Sequence, residues 1–247
     1  MMKIWGMTDI GLVRKENQDA YAVRVSEETG HTICVVCDGM GGPGGGRLAS
    51  TLAVETFLDA CQGNLCPDMD AQAVRQVADF AVAAANRAVY QRSQTEPGLK
   101  GMGTTLVSAV TWGDQALISN VGDSRAYLIR PEEGISRVTR DHSLVERLVE
   151  LGNITEEQAR CHPDRNLITR ALGPEEGALS DSYLLHLETG DYLLLCTDGL
   201  VETATDQEME EAVLRGGDPN SCLDRLLSLA KQRGAADNVT AVLLRQL

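Results

Sequence analysis

The sequence predicts an α+β fold, with antiparallel sheets and helices layered outside them. Two observations lead there. Short apolar or β-branched runs come in consecutive blocks, and helical stretches come in blocks between them; a parallel sheet would show strand–helix–strand alternation instead. Within each strand block the runs are separated by brief polar or glycine-containing turns such as Gly113-Asp114 and Gly122-Asp123, which suit hairpins.

Taken in order, Lys3–Asp9, Ala20–Val25 and Thr32–Cys37 read as strands. Two helices follow. Leu48–Cys61 carries apolar residues at helical spacing, and Ala71–Gln91 has a wide apolar face running from Val74 to Val89, with Asp70 placed to cap it. The segment Gln94–Gly103, with Pro97 among its glycines, breaks the pattern. Strands return at Thr104–Thr111, Gln115–Val121 and Arg125–Arg130. A polar helical stretch follows: Ser143 can cap Leu144–Leu151, and Thr155-Glu156-Glu157-Gln158 has the spacing of a helix start. The residues from about Arg140 to Ser180 read as an insertion between strands, outside the core. Strands at Tyr183–Leu187 and Tyr192–Thr197, helices near Asp206–Leu214 and Asn220–Gln232, and a last strand Val239–Leu244 complete the chain.

The chain has 247 residues, enough for one large domain or two small ones, and nothing in it resembles a flexible linker. With 43% apolar and 23% charged residues it is an ordinary globular composition, in which scarce aromatics leave Leu, Val, Ala and Ile to fill the core. A formal net charge of −14 argues against nucleic acid and anionic membrane as partners, and an anionic substrate would need cations at its site. The seven cysteines are odd in number and are read as lying inside apolar runs, so reduced, buried thiols are expected. Cys34 and Cys37 lie three apart on a strand and should face opposite ways. The start of the chain has no signal-peptide pattern, and no apolar run approaches the roughly 20 residues of a membrane span, so a cytoplasmic location is expected.

The most informative feature is Asp38-Gly39-Met40-Gly41-Gly42, directly behind the apolar run Ile33–Cys37. Asp-Gly between apolar runs is ordinarily a hairpin turn. Here the pattern repeats: Tyr192–Thr197 ends in Asp198-Gly199, a third run leads into Gly122-Asp123, and Asp237-Asn238 precedes the last strand. Aspartates at separated strand ends can converge on one hard-cation site, and oxygen-only ligands suit magnesium or manganese rather than zinc.

Further motifs accompany these. Gly11–Asp19 reads GLVRKENQD; Gly103-Thr104-Thr105, Asn120–Tyr127, Thr139–Ser143, Ile168–Gly173 and Cys196–Leu200 follow in order, before Asp237-Asn238-Val239-Thr240. The ordered set resembles the bacterial branch of the PPM family of metal-dependent protein Ser/Thr phosphatases over roughly residues 3 to 245. The resemblance implies a single catalytic domain over 1–247: a four-layer α/β/β/α sandwich of two antiparallel sheets, with a flap at about 140–180 beside a metal cleft at one end. It implies hydrolysis of phosphoserine and phosphothreonine on proteins by in-line attack of a water bridging two Mn²⁺ or Mg²⁺ ions. In that scheme Asp38 bridges the ions, the Gly39 carbonyl binds one, Asp198 and Asp237 bind the first, and Asp123 with Asp198 holds a third, weaker ion. Asp19 orients a water on the second ion without itself binding that ion. Arg14 offers a planar fork to two phosphate oxygens, and His162 in the flap is a candidate substrate contact.

The chain departs from the family pattern in three places. Met40 stands where many eukaryotic relatives carry a proton-donating histidine, Pro43 where relatives commonly have His, and Arg47 where an acidic residue is common. The implied partners are phosphoproteins and a counteracting Ser/Thr kinase, and the expected state is a monomer. The alternatives are a catalytically weak phosphoprotein-binding regulator and a dedicated phosphatase of one transcriptional regulator.

Overall fold

A computed structural model describes residues 2–42 and 44–247, so Pro43 lies outside the described residues. The first sheet orders its strands β1 (Met2–Asp9), β11 (Val239–Gln246), β10 (Tyr192–Cys196), β7 (Arg125–Arg130) and β8 (Gly134–Arg137). The second orders β2 (Asp19–Ser26), β3 (His31–Met40), β5 (Leu106–Trp112), β6 (Gln115–Val121) and β9 (Asp181–His186), with the short β4 (Gly103–Thr104) pairing to the end of β3. Every pairing is antiparallel.

Alternation along the strands explains why the sheets stack. On β3, Ile33, Val35 and Cys37 face the helices α1 (Gly45–Asn64) and α2 (Ala71–Thr95), while Cys34 and Val36 face the other sheet. On β11, Val239, Ala241 and Leu243 face α6 (Asp206–Leu214) and α7 (Pro219–Gln232), while Val242 and Leu244 face inward. Both faces of both sheets are therefore apolar, and burying them requires four layers. Each fully buried Leu, Val or Ile contributes about 1.5–3 kcal/mol relative to exposure.

The caps fall where the sequence put them. Asp70 accepts from Ala73 N–H at 2.8 Å to open α2, and Ser143 accepts from Glu146 N–H at 3.2 Å to open α3 (Leu144–Glu150). Thr155 and Gln158 form a reciprocal capping box at α4 (Glu156–Arg160).

Several expectations are corrected. The strand β3 does not end at Cys37 but runs through Asp38 and Gly39 to Met40, because β2 and β4 continue to pair with it. Asp198-Gly199 opens a short helix, α5 (Asp198–Val201). The edge strand β8 was not anticipated: its four residues carry no usable alternation. The stretch 140–180 is not wholly outside the core. Leu172 is fully buried within the α1/α2 layer, and its peptide exchanges hydrogen bonds with Thr104. Cys66 and Cys161 are exposed, whereas the other five cysteines are buried, and all seven are free. Cys34 and Cys37 face opposite layers. Among the described residues no helix is long and apolar enough to cross a membrane.

Candidate active site

The space between the two sheets changes character towards one end. In its middle it is filled by Val36, Ala109, Ile118, Leu195 and Val242. One step further along the same inward-facing rows come Asp38 on β3, Asp19 on β2, Thr8 on β1 and Thr240 on β11. Thr197, just after β10, donates its hydroxyl to Asp19 Oδ2 at 2.9 Å, and the hydroxyls of Thr8 and Thr240 are 2.7 Å apart. The inter-sheet core thus ends in oxygen atoms.

Asp38 is fixed through its peptide. Its N–H donates to Thr105 Oγ1 at 2.9 Å, and its carbonyl accepts from Thr105 N–H at 2.8 Å and from the Thr104 hydroxyl at 2.7 Å. The Gly103-Thr104-Thr105 motif, which the sequence places near the metal cleft without a catalytic role, is the scaffold of Asp38. Thr105 also reaches the Ser124 hydroxyl at 2.7 Å, linking Asp38 to the loop that carries Asp123. Gly39 packs against the first turn of α1 so closely that a Cβ would sit 2.0 Å from Gly46 O. No other residue fits there without displacing that helix.

Asp237 and Arg14 meet across the cleft. Arg14 is exposed and donates to Asp237 Oδ2 at 2.5 Å. That hydrogen bond holds the guanidinium further towards its charged form, as do the charges of Asp237, Asp38 and Asp198, against the effect of burial. The turn bearing Arg14 is stitched down by Asn238. Its side-chain amide donates to the carbonyls of Ile10 at 2.9 Å and Glu16 at 3.1 Å, and its Oδ1 accepts from Gln18 N–H at 2.8 Å. Asn238 is therefore a structural clasp that brings residues 10–18 to the start of β11.

The electrostatics follow from crowding acids in one place. Burial is the main cause that pushes Asp38 well above the usual carboxylate range, with the charges of Asp198, Asp19, Asp123 and Asp237 adding to it. The same cause lifts Asp123 to about 8, Asp19 to about 7 and Asp198 to about 6. Asp19 Oδ1 and Asp198 Oδ1 are buried with no hydrogen-bond partner among the described residues. Among the described residues no trio of acidic, His or Cys side chains is already closed around an ion-sized point. The donor set nevertheless fits a hard cation: it is all oxygen, its carboxylates resist ionising beside one another, and two of its oxygens are orphaned.

A cavity of about 630 Å³ opens beside the cluster. Asp123 and Asp198 are in its wall, together with Arg125, Arg165, Glu202 and Arg233; Asp38, Asp237 and Arg14 are not. It therefore adjoins the carboxylates on the side of the inserted segment and is not their centre. Arg125 forks onto Asp141, with Nε at 2.9 Å from Oδ1 and NH2 at 2.6 Å from Oδ2.

A family model described as Protein phosphatase 2C matches residues 13–243. The chain belongs to the protein phosphatase 2C family. Among relatives, the Serine/threonine phosphatase stp of Listeria monocytogenes serotype 4b is 35% identical over 239 residues, spanning 97% of this chain and 94% of its own. The crystal structure of Serine/threonine phosphatase Stp1 from Staphylococcus aureus matches with a TM-score of 0.93 at 33% identity, over 100% of this chain and 96% of that one. The catalytic domain of the serine threonine protein phosphatase PstP in complex with 2 manganese ions matches at 0.84 and 32%, over 99% and 97%. The two antiparallel sheets and their helices are this family's architecture.

Other residues of interest for a 2C-type phosphatase fall elsewhere. His162 follows α4, half-buried, with Nδ1 accepting from Asp164 N–H at 3.1 Å; it is not in the cavity wall, where Arg165 and Asn166 are. Met40 lies against Gly103, where an added Cβ would come within 3.0 Å of its Cε. Arg47 is exposed on the first turn of α1. His31 is buried in the fold against Trp112, whereas His186 is exposed near Asp114.

Proposed function

We propose that this chain is a metal-dependent phosphatase of phosphoserine and phosphothreonine in proteins. The observation that carries the reading is the convergence of Asp19, Asp38, Asp123, Asp198 and Asp237 at one end of the sandwich, with Arg14 on their rim. In this reading Asp38, the Gly39 carbonyl, Asp198 and Asp237 hold two Mn²⁺ or Mg²⁺ ions, Asp123 serves a third, and Asp19 acts from behind them. Such ions, when bound, neutralise phosphoryl charge and lower the pKa of water to supply a nucleophile near neutral pH.

The chain's own residues do the remaining work. Arg14 can exchange Asp237 for two phosphoryl oxygens, since a guanidinium fork matches either partner. Thr104 and Thr105 keep Asp38 from moving as charge changes around it. Thr197 holds one oxygen of Asp19 and leaves the other free to accept from a water. Met40 has no proton to give, so protonation of the departing serine or threonine oxygen falls to another group. The flap, residues about 140–180, and the adjoining cavity are suited to receiving the protein chain around the phosphoresidue, with His162 a contact at the flap's surface. The partners in this reading are phosphoproteins and a Ser/Thr kinase, and the protein acts as a cytoplasmic monomer without nucleic acid or membrane.

The test is phosphate release from phosphoserine and phosphothreonine peptides with Mn²⁺ and with chelator. Turnover that needs the ion supports the reading; full turnover after exhaustive chelation, or none with Mn²⁺, overturns it.

A further inference from the structure

We propose that His142 is a positioning residue for Asp123 and ties that aspartate to the base of the flap. The inference rests on the reading of Asp123 as an ion ligand. The loop Gly122–Ser124 joins β6 to β7, and one residue holds its first glycine through both the N–H and the carbonyl. His142 N–H donates to Gly122 O at 2.9 Å, and Gly122 N–H donates to His142 Nδ1 at 3.1 Å. Gly122 has a φ of +106°, and a Cβ there would lie 2.6 Å from Thr105 Cγ2, so the peptide is confined on its other side as well.

The imidazole itself is buried and fixed at both nitrogens. Nδ1 accepts, so the neutral ring carries its proton on Nε2, which faces Asp181 Oδ2 at 3.2 Å. Arg170 NH1 is 3.2 Å from the same nitrogen, but both are donors, and its true partner is Asp181 Oδ1 at 3.0 Å. Thr169 N–H donates to the His142 carbonyl at 2.7 Å. The inserted segment, where it returns to the sheet, therefore holds His142 at its carbonyl through Thr169 and at Nε2 through Asp181, while Nδ1 grips the Asp123 loop. Partners that orient ligands from behind in this way govern metal affinity although they never touch the ion.

Asn and Gln substitutions separate the two nitrogens. His142→Asn keeps an acceptor near the Nδ1 position and has nothing at Nε2; His142→Gln does the reverse. A merely structural role would make the two alike. The experiment titrates Mn²⁺ calorimetrically into the chelator-treated full chain of the wild type, both variants and Asp123→Asn. Gly122 amide exchange is followed by NMR before metal is added. The wild type should bind a weaker ion that Asp123→Asn lacks. His142→Asn should keep that ion within about threefold and His142→Gln should weaken it by roughly tenfold or more, with the tighter ions unchanged. Faster Gly122 exchange should appear in the Gln variant alone. Equal behaviour of the Asn and Gln variants, or loss of the tighter ions in the Gln variant, would overturn the role of His142. An Asp123→Asn protein that binds as many ions as the wild type would instead overturn the reading of Asp123, and the inference with it.

Discussion

Asp19 and Asp38 stand directly opposite one another on β2 and β3, two carboxylates on one face of an antiparallel pair. Like charges in that position destabilise a sheet. Thr197 donates to one oxygen of Asp19, and among the described residues the other, buried oxygen has no hydrogen-bond partner. A local rule of folding is broken at the place where the chemistry is proposed, which is where such breaks are expected.

The first prediction concerns pH. Burial lifts Asp198 to about 6, Asp19 to about 7 and Asp123 to about 8 from an ordinary value of 3.8. A carboxyl raised on folding binds its proton more tightly in the folded state. Its contribution is complete below about pH 4 and is lost as pH rises through the folded value. In chelator, stability measured by urea unfolding should therefore fall from pH 5 to pH 8. Saturating Mn²⁺ should remove or reverse the fall, because the ions replace the protons. A midpoint that rises over this range in chelator would contradict the account.

Thr105→Val tests the scaffold under Asp38. The change is nearly isosteric but leaves the Asp38 N–H and the Ser124 hydroxyl without their partner. An unsatisfied buried group costs about 1–3 kcal/mol, which in a domain of this size lowers Tm by roughly 2–4 °C per kcal/mol. Turnover of a small aryl phosphate should fall as well. A variant as stable and as active as the wild type would show that the threonine hydroxyl does not set Asp38.

The two-sheet architecture was legible because its signals are periodic. Apolar faces repeat every second residue on strands and wrap helices such as α2, and the caps Asp70, Ser143 and Thr155 announce themselves by type and spacing. The convergence of four of the aspartates was legible because Asp38, Asp123 and Asp198 follow apolar runs and Asp237 precedes one, whereas Asp19 was legible only through the family resemblance. What was missed leaves no period. Leu172 shares its stretch with Leu167, Ile168 and Ala171, which stay partly or wholly exposed, and no spacing marks it as the one that enters the core. Asn238 and Thr105 work through hydrogen bonds to distant backbone, which no local pattern encodes. β8 is a four-residue edge whose pairing to β7 decides its conformation.

Excision of 145–166 tests the flap. Leu144 N–H donates to Leu167 O at 2.9 Å, so the ends to be joined are already neighbours, and the buried Leu172 is kept. With a short Gly-Ser link in place, phosphoprotein turnover should drop more than hydrolysis of a small aryl phosphate. An equal loss on both substrates would make the segment structural and not a substrate surface.

Replacing Arg14 separates its two partners. Arg14→Met removes the fork and frees Asp237. KM for phosphopeptide should rise, while Mn²⁺ should bind at least as tightly, since a competing cation has gone. Lys in its place should recover little, because a point charge cannot grip two oxygens at once. Unchanged KM in the Met variant would remove Arg14 from phosphate binding.

The central claim is that the carboxylate cluster is an ion site organised by Asp38, and anomalous diffraction from crystals grown with Mn²⁺ tests it most directly. The account predicts two ions roughly 3.5–4 Å apart, both touching Asp38, with Asp198 and Asp237 on one of them and the pair lost in Asp38→Ala. Manganese absent from the cluster, or a pair that persists without Asp38, would contradict it.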